Sequence, residues 1–152
     1  MHKLYMLIGV PGSGKSTWIK NCGIDAVVLS TDDKIEAAAE AADKTYNEMF
    51  RSTIGAAEKQ MYADAAAAFA AGRDVIWDQT NITAKTRMKK LTRVPSFYEK
   101  IAVYFNTPPE AELKRRLDNR PGKTIPANIV MGMVSQLEMP TTEEGFDRIV
   151  IV

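Results

Sequence analysis

Gly9-Val10-Pro11-Gly12-Ser13-Gly14-Lys15-Ser16 fits the pattern G-x-x-x-x-G-K-[ST], and each residue type in it suits the binding of phosphate. The glycines permit a tight turn whose successive N–H groups point into one concavity and cradle phosphate oxygens. Thr17-Trp18-Ile19-Lys20 then opens a helical pattern, so the positive end of a helix dipole adds to the cradle. Lys15 has the reach to meet the β- and γ-phosphates of a nucleoside triphosphate, and the Ser16 hydroxyl is placed to ligate Mg²⁺. Gly9 to Thr17 is therefore the expected ATP site.

Phosphoryl transfer needs more than a cradle. It asks for a second metal-binding group, an oriented nucleophile and cations over the group in flight. Asp78 closes an apolar run and is the candidate carboxylate for Mg²⁺, with a local backbone cap as its plainer use. Asp32 ends a second apolar run and is the candidate base for an incoming hydroxyl; Asp33 is free to serve as helix cap beside it. Arg116 and Arg120 lie four apart, so one helix face can present both to the triphosphate. Pro121-Gly122 then makes the next stretch hinge-like, and a small lid over about 116–126 is expected.

The elements that must position these groups follow from the pattern. Leu4-Ile8, Ala26-Leu29, Asp74-Asp78, Ile101-Phe105 and Arg148-Val152 read as strands, mostly apolar throughout. Between them lie helical stretches, the longest from Lys34 to Gly72, alanine-rich and with a break expected near Asp43–Thr45 or near Gly55. Tyr46, Phe50 and Ile54 recur every four residues, which predicts a stripe packed on the core. Thr83 is placed to cap a basic helix carrying Lys85, Arg87, Lys89, Lys90 and Arg93. Pro108 and Pro109 start another helix, and Pro126 starts a last one that Pro140 stops. Strands alternating with helices imply an α/β, three-layer fold with a parallel sheet of about five strands. Ligands then sit beyond the carboxyl ends of the strands, where the phosphate loop, Ser30–Asp33 and Asp78–Asn81 all fall.

Length and composition agree with one domain spanning 1–152. No apolar run approaches the roughly 20 residues of a membrane span, and no leader pattern precedes the first strand, so a cytoplasmic protein is expected. Cys22 has no second cysteine to pair with, which fits a reducing compartment. His2 is assigned no role. Charge is unevenly spread: residues 24–64 carry four Lys and Arg against nine Asp and Glu, and residues 83–123 carry eleven against four. The basic segment is either a solvated face or a surface that meets phosphates.

The phosphate loop with Thr17-Trp18, the aspartate after the second strand, Asp78-Gln79-Thr80-Asn81 and the Arg120–Pro126 spacing together resemble the kinase domain of polynucleotide 5′-hydroxyl kinases. Pro140-Thr141-Thr142-Glu143-Glu144-Gly145-Phe146 is similar to the end of that domain in its animal members. The resemblance covers nearly the whole chain. It implies a P-loop NTPase fold in which Lys15 and Ser16 hold ATP and Mg²⁺, Asp32 is the general base and Arg120 is a lid arginine. Thr80, Asn81, Lys85 and Arg87 join Asp32 as the expected substrate-binding residues, the basic helix being placed to contact a nucleic acid backbone. Many members carry Asn-Arg-Asp where this chain has Ser30-Thr31-Asp32, and the bacteriophage-type enzymes have an arginine where it has Ile35. Related phage kinases act on the hydroxymethyl group of a modified pyrimidine in DNA.

The expected activity is transfer of the γ-phosphate of ATP to a hydroxyl on a nucleic acid, DNA before RNA. The acceptor is a 5′ end or a hydroxymethylated pyrimidine. A sugar or nucleoside kinase of the same architecture is the second reading, and a nucleotide-dependent switch or motor subunit the third. No N-K-x-D guanine motif supports a GTPase switch.

Overall fold

Leu4, Met6 and Ile8 alternate with Tyr5 and Leu7, so strand β1 (Lys3–Ile8) sends an apolar set to each face of the sheet. The computed structural model describes residues 1–120 and 122–152; Pro121, expected to break the chain ahead of the lid, lies outside the described residues. β1 is the middle strand of five. The order is β2-β3-β1-β4-β5, with β2 at Val27–Leu29, β3 at Val75–Trp77, β4 at Glu99–Tyr104 and β5 at Arg148–Ile151. Every pairing is parallel.

Parallel neighbours need long crossovers, and six helices supply them: α1 (Lys15–Asn21), α2 (Asp32–Ala41), α3 (Tyr46–Ala70), α4 (Ala84–Leu91), α5 (Glu110–Asp118) and α6 (Ala127–Gln136). On one face Leu4, Met6, Trp77 and Ala102 pack with Met61, Ala65 and Phe69 of α3 and Leu91 of α4. On the other, Leu7, Ile76, Ile101 and Val103 pack with Trp18 and Ile19 of α1. This is the three-layer α/β arrangement expected from the sequence. A third cluster, Val10 with Leu113 and Val130, joins the phosphate loop to α5 and α6.

Because all strands run one way, β1, β2 and β3 end on the same edge. From that edge emerge the loop at Gly9, the Ser30–Asp32 corner and Asp78. Asp78 N–H donates to the Leu29 carbonyl at 2.8 Å and Gly9 N–H to the Thr80 carbonyl at 3.0 Å, which ties the three corners together.

The break in the long alanine-rich stretch falls at Asp43, whose φ of 55° turns the chain left-handed. Thr45 then caps α3 in a reciprocal pair with Glu48, each side chain meeting the other residue's backbone amide. Gly55 lies inside α3 and interrupts nothing.

Candidate active site

The phosphate loop is shaped by close approaches. A Cβ on Gly9 would lie 2.5 Å from Ser13 Oγ, and Gly12 and Gly14 hold φ of 83° and 109°, conformations that glycine adopts without strain. Gly14 gives α1 no side-chain cap, so the first-turn amides have neither an intrahelical acceptor nor a capping oxygen. Val10 is buried and contributes only backbone. Lys15 folds back over the loop, donating from Nζ to the carbonyls of Gly9 at 2.7 Å and Val10 at 3.1 Å. Burial brings its ammonium down to about 8, against the pull of Asp78 and Asp32.

Pro11, Gly12, Ser13, Lys15, Ser16 and Thr17 face one cavity of about 1290 Å³. Asp32, Asp78, Thr80, Arg116 and Arg120 face it too. Burial lifts the Asp78 carboxyl to about 6; Lys15 beside it opposes that rise, and Asp33 and Asp32 add to it. Asp32 begins α2. It is not the cap of that helix: Ser30 Oγ accepts from Asp33 N–H at 3.3 Å and does that work. The Asp32 side chain is thus left 51% exposed, taking a hydrogen bond from the Tyr46 hydroxyl at 2.6 Å and facing Lys123 Nζ at 3.8 Å.

The two lid arginines differ in occupation. Arg116 donates from Nε to Glu112 at 2.8 Å and from Nη1 to the Gly12 carbonyl at 3.0 Å, so its guanidinium clamps α5 onto the phosphate loop. Arg120 is half-buried, and its Nη1 is buried without a hydrogen-bond partner. The next segment is held on the far side of the cavity: Asn47 of α3 donates to the Thr124 carbonyl at 2.8 Å and accepts from its N–H at 2.9 Å.

Two of the expected acceptor-side residues are structural instead. Arg87 is fully buried; it donates to both Glu144 oxygens at 2.7 and 3.2 Å, and to the carbonyls of Asn81 at 2.9 Å and Glu138 at 3.1 Å. Asn81 is buried at φ 48°, where it donates to the Leu7 carbonyl at 2.8 Å and accepts from Lys90. A side chain so enclosed has no face for a substrate. The basic helix is therefore split, with Arg87 and Lys90 inward and Lys85, Lys89 and Arg93 outward. Lys85 lines a separate shallow groove with Tyr62, Met88 and Arg93, away from the main cavity.

The stripe expected on the core goes partly to the site. Tyr46 and Phe50 face the cavity with their rings 5.9 Å apart, and Phe50 is 42% exposed. Lys123, Glu36 and Asn47 also belong to it, and none carries a local motif. A four-residue apolar spacing marks a helix face without naming the partner, so only the adjacency of Asp32 and Tyr46 distinguishes site from core. Trp18 lines the cavity, whereas Trp77 is fully buried.

The donor set fits a magnesium nucleotide. Ser13 Oγ is buried without a partner in the loop, and Lys15 meets only loop carbonyls, so the positive groups of the cradle are not spent on a carboxylate. Among the described residues no group of three or more His, Cys, Asp or Glu is arranged to hold a metal. Mg²⁺ does not ask for one, since it is held by one or two protein oxygens, phosphate oxygens and water. Ser16 and Asp78, the two oxygens expected from the sequence, both line the cavity, as do the carboxylates of Asp32, Asp33 and Glu36. No helix among the described residues is long and apolar enough to cross a membrane.

Among solved structures, a chain of the Pnkp1/Rnl/Hen1 RNA repair complex is 28% identical with a TM-score of 0.70, over 96% of this chain and 46% of that one. This chain thus spans less than half of that relative. A sugar kinase from Janibacter sp. HTCC2649 is 17% identical, TM-score 0.64, covering 100% and 85%. A gluconokinase from Sinorhizobium meliloti 1021 is 18% identical, TM-score 0.56, covering 99% and 81%. These two share the fold. A protein-family model described as an AAA domain matches residues 4–140. That match takes in the phosphate loop, all three corners and α6, and on it the chain belongs to the AAA domain family, built on a P-loop kinase fold.

Proposed function

We propose that this protein is an ATP-dependent kinase that moves the γ-phosphate to a hydroxyl on a nucleic acid, either a 5′ end or the hydroxymethyl group of a modified pyrimidine. One observation carries the reading: Asp32 stands half-exposed in the same cavity as Lys15, held by Tyr46. A carboxylate there accepts the proton of an attacking alcohol. Nucleic acid as the partner class is supported by the 28% identical chain of an RNA repair complex. That comparison gives DNA no preference over RNA.

Gly12 and Gly14 to Thr17 bind the triphosphate by their backbone amides, with Lys15 on the outer phosphates; the amides of Gly9 and Ser13 are taken by the Thr80 and Val10 carbonyls, which hold the loop in shape. Ser16 and Asp78 would hold Mg²⁺, which would supply neutralisation of phosphate charge there. Asp32 takes the alcohol proton. Arg120 brings positive charge to the departing and transferring oxygens, and Arg116 keeps α5 on the loop. The described residues on either side of position 121, Arg116 to Arg120 and Gly122 to Pro126, serve as the lid that excludes water from the transfer. Thr80 lines the acceptor side, and Lys85 with its exposed neighbours offers cations to a nucleic acid backbone.

A free small-molecule alcohol is the second reading, favoured by the acidic face of α2, where Asp33 and Glu36 join Asp32 on the cavity. Incubation with γ-labelled ATP, 5′-hydroxyl DNA, 5′-hydroxyl RNA, hydroxymethyluracil-containing DNA, free nucleosides and free sugars separates the two. Label in any polynucleotide supports the first reading; label confined to free nucleosides or sugars establishes the second. Asp32→Ala abolishes transfer and leaves ATP binding nearly intact. Loss of ATP affinity in that variant removes Asp32 from the role of base.

A further inference from the structure

We infer that the acceptor half of the cavity is a stacking site for an uncharged planar ring, with Phe50 as its shelf. The inference rests on the kinase reading above and narrows it to alcohols carried by a nucleobase-like heterocycle with no anionic group beside the reacting carbon.

An isolated exposed hydrophobic side chain is ordinary on a protein surface. Phe50 is not isolated. Its ring packs on Tyr46 at 5.9 Å and 43°, and the Tyr46 hydroxyl holds Asp32 at 2.6 Å. Shelf and base therefore form one connected unit on α2 and α3. The Tyr46 ring also carries Lys123, whose ammonium lies 4.8 Å from its centroid, which leaves Phe50 as the open aromatic face beside Asp32; Trp18 and Phe105, packed together on the other face of the sheet, line the cavity from there. Asn47, one residue on from Tyr46, fixes Thr124 through two hydrogen bonds, and Ile125 and Ile129 beyond it line the same cavity. An aromatic face with aliphatic neighbours suits a flat π-system, since every nucleobase has a face to stack. A polyol gains less on the ring face itself, because its hydroxyls need polar partners, and those lie off the ring on α2.

Charge selects further. Asp32, Asp33 and Glu36 all face this half of the cavity. Burial first, then Glu36 and Asp32, hold the Asp33 carboxyl above its ordinary range. Lys123 is already paired with Glu36, and Lys34 on the same helix is paired with Asp64 at 2.8 Å. Position 35, one turn after Asp32, is the buried Ile35. Arg120 also acts on Tyr46 but is committed to the γ-phosphate, so a phosphate close to the reacting hydroxyl would meet mainly carboxylates, whereas a neutral ring carries no charge for them to repel.

The test is calorimetry on the full chain loaded with a non-hydrolysable ATP analogue and Mg²⁺, titrated with thymidine, thymidine 3′-monophosphate and gluconate. Thymidine is expected to bind, with the monophosphate at least about fivefold weaker and gluconate at least about tenfold weaker. Phe50→Ala weakens thymidine at least about fivefold, while Phe50→Trp holds it within about twofold, and both keep the affinity for the ATP analogue. Thymidine binding unchanged in Phe50→Ala, a monophosphate that binds as tightly as the nucleoside, or gluconate binding in preference to thymidine overturns the inference. The two proposals fail separately: transfer of label to some alcohol sustains the kinase whatever the titrations show. Thymidine binding without transfer to any alcohol keeps the shelf and removes the kinase.

Discussion

The two ends of the cavity are built on different principles. The phosphate end is one continuous loop, Gly9 to Thr17, whose working groups are backbone amides and a single lysine. Behind it stands a dry polar network in which Asn81 ties Leu7 to Lys90 and Arg87 ties Asn81 to Glu144. The acceptor end is assembled from side chains of three separate segments, Asp32 and Glu36 on α2, Tyr46 and Phe50 on α3, and Lys123 before α6. Asp32, Glu36 and Phe50 there are half-exposed, and the segments meet mainly through side chains, with Asn47 also bonded to the backbone of Gly122 and Thr124. The difference separates tasks. A backbone cradle backed by buried bonds is stiff and treats any triphosphate alike, whereas a wet cluster of side chains can be respecified for a new alcohol without disturbing the cradle.

The largest effects expected are those that tell the two ends apart. Lys15→Met should lower transfer by about 10²–10³-fold and weaken ATP binding with it, because charge is lost where the transferring phosphoryl needs it. Asp32→Asn should lower transfer by about 10²–10⁴-fold with ATP affinity kept within about twofold. Rates of label transfer beside calorimetric ATP affinities make the comparison. If Asp32→Asn weakens ATP as much as Lys15→Met does, the ends are not separable.

The buried network behind the loop comes next. Arg87→Ala leaves Glu144, whose side chain is 7% exposed, without its guanidinium, a loss of about 3–5 kcal/mol in chemical denaturation. Lys85→Ala, two residues away on the outer side of the same helix, should stay within about 0.5 kcal/mol. Equal effects would return Arg87 to the surface.

Why one end was legible in the sequence and the other was not follows from the same difference. A continuous loop writes its requirement into adjacent positions, so Gly9, Gly12, Gly14, Lys15 and Ser16 announce themselves by type and spacing. The strands were legible because a sheet covered on both faces needs apolar runs, and β1 to β5 fall within a residue or two of those runs. Tyr46 and Phe50 were misread as core because helical periodicity reports a buried face and is silent on what that face meets. Arg87 and Lys90 were misread as surface because charge is usually solvated, and only the fold reveals that Glu144 and Asn81 lie in reach. The pairing of Asn47 with Thr124 spans 77 residues, and no local pattern encodes it.

Lys90 gives the dry end a pH dependence of its own on the alkaline side. Burial lowers its ammonium to about 8 from an ordinary 10.5. Below pH 8 the group is charged in both folded and unfolded chains, and the cost of burying that charge is constant. Between 8 and 10.5 the unfolded chain binds more protons, so the contribution of Lys90 to stability rises with pH. The full rise is roughly 3 kcal/mol at most. Lys90→Met removes it, so the stability difference between native protein and variant should shift in favour of the native chain from pH 8 to pH 10.5. A difference that stays flat across that window would show that Lys90 is solvated.

The smallest effect probes the wet end alone. In Tyr46→Phe the ring stays on Phe50 and under Lys123, and only the hydroxyl that donates to Asp32 is lost. A hydrogen bond to a charged group is worth about 1.5–3 kcal/mol where water is excluded, and water can replace this one at a carboxylate that is 51% exposed. Transfer should therefore fall only about tenfold, in kcat rather than in the acceptor KM, with ATP affinity unchanged. If the hydroxyl acts through Asp32, the two losses do not add: Tyr46→Phe in an Asp32→Asn background should cost little further. Additive losses would mean that Tyr46 touches the acceptor itself, and the tyrosine would then belong to recognition of the alcohol rather than to the orientation of its base.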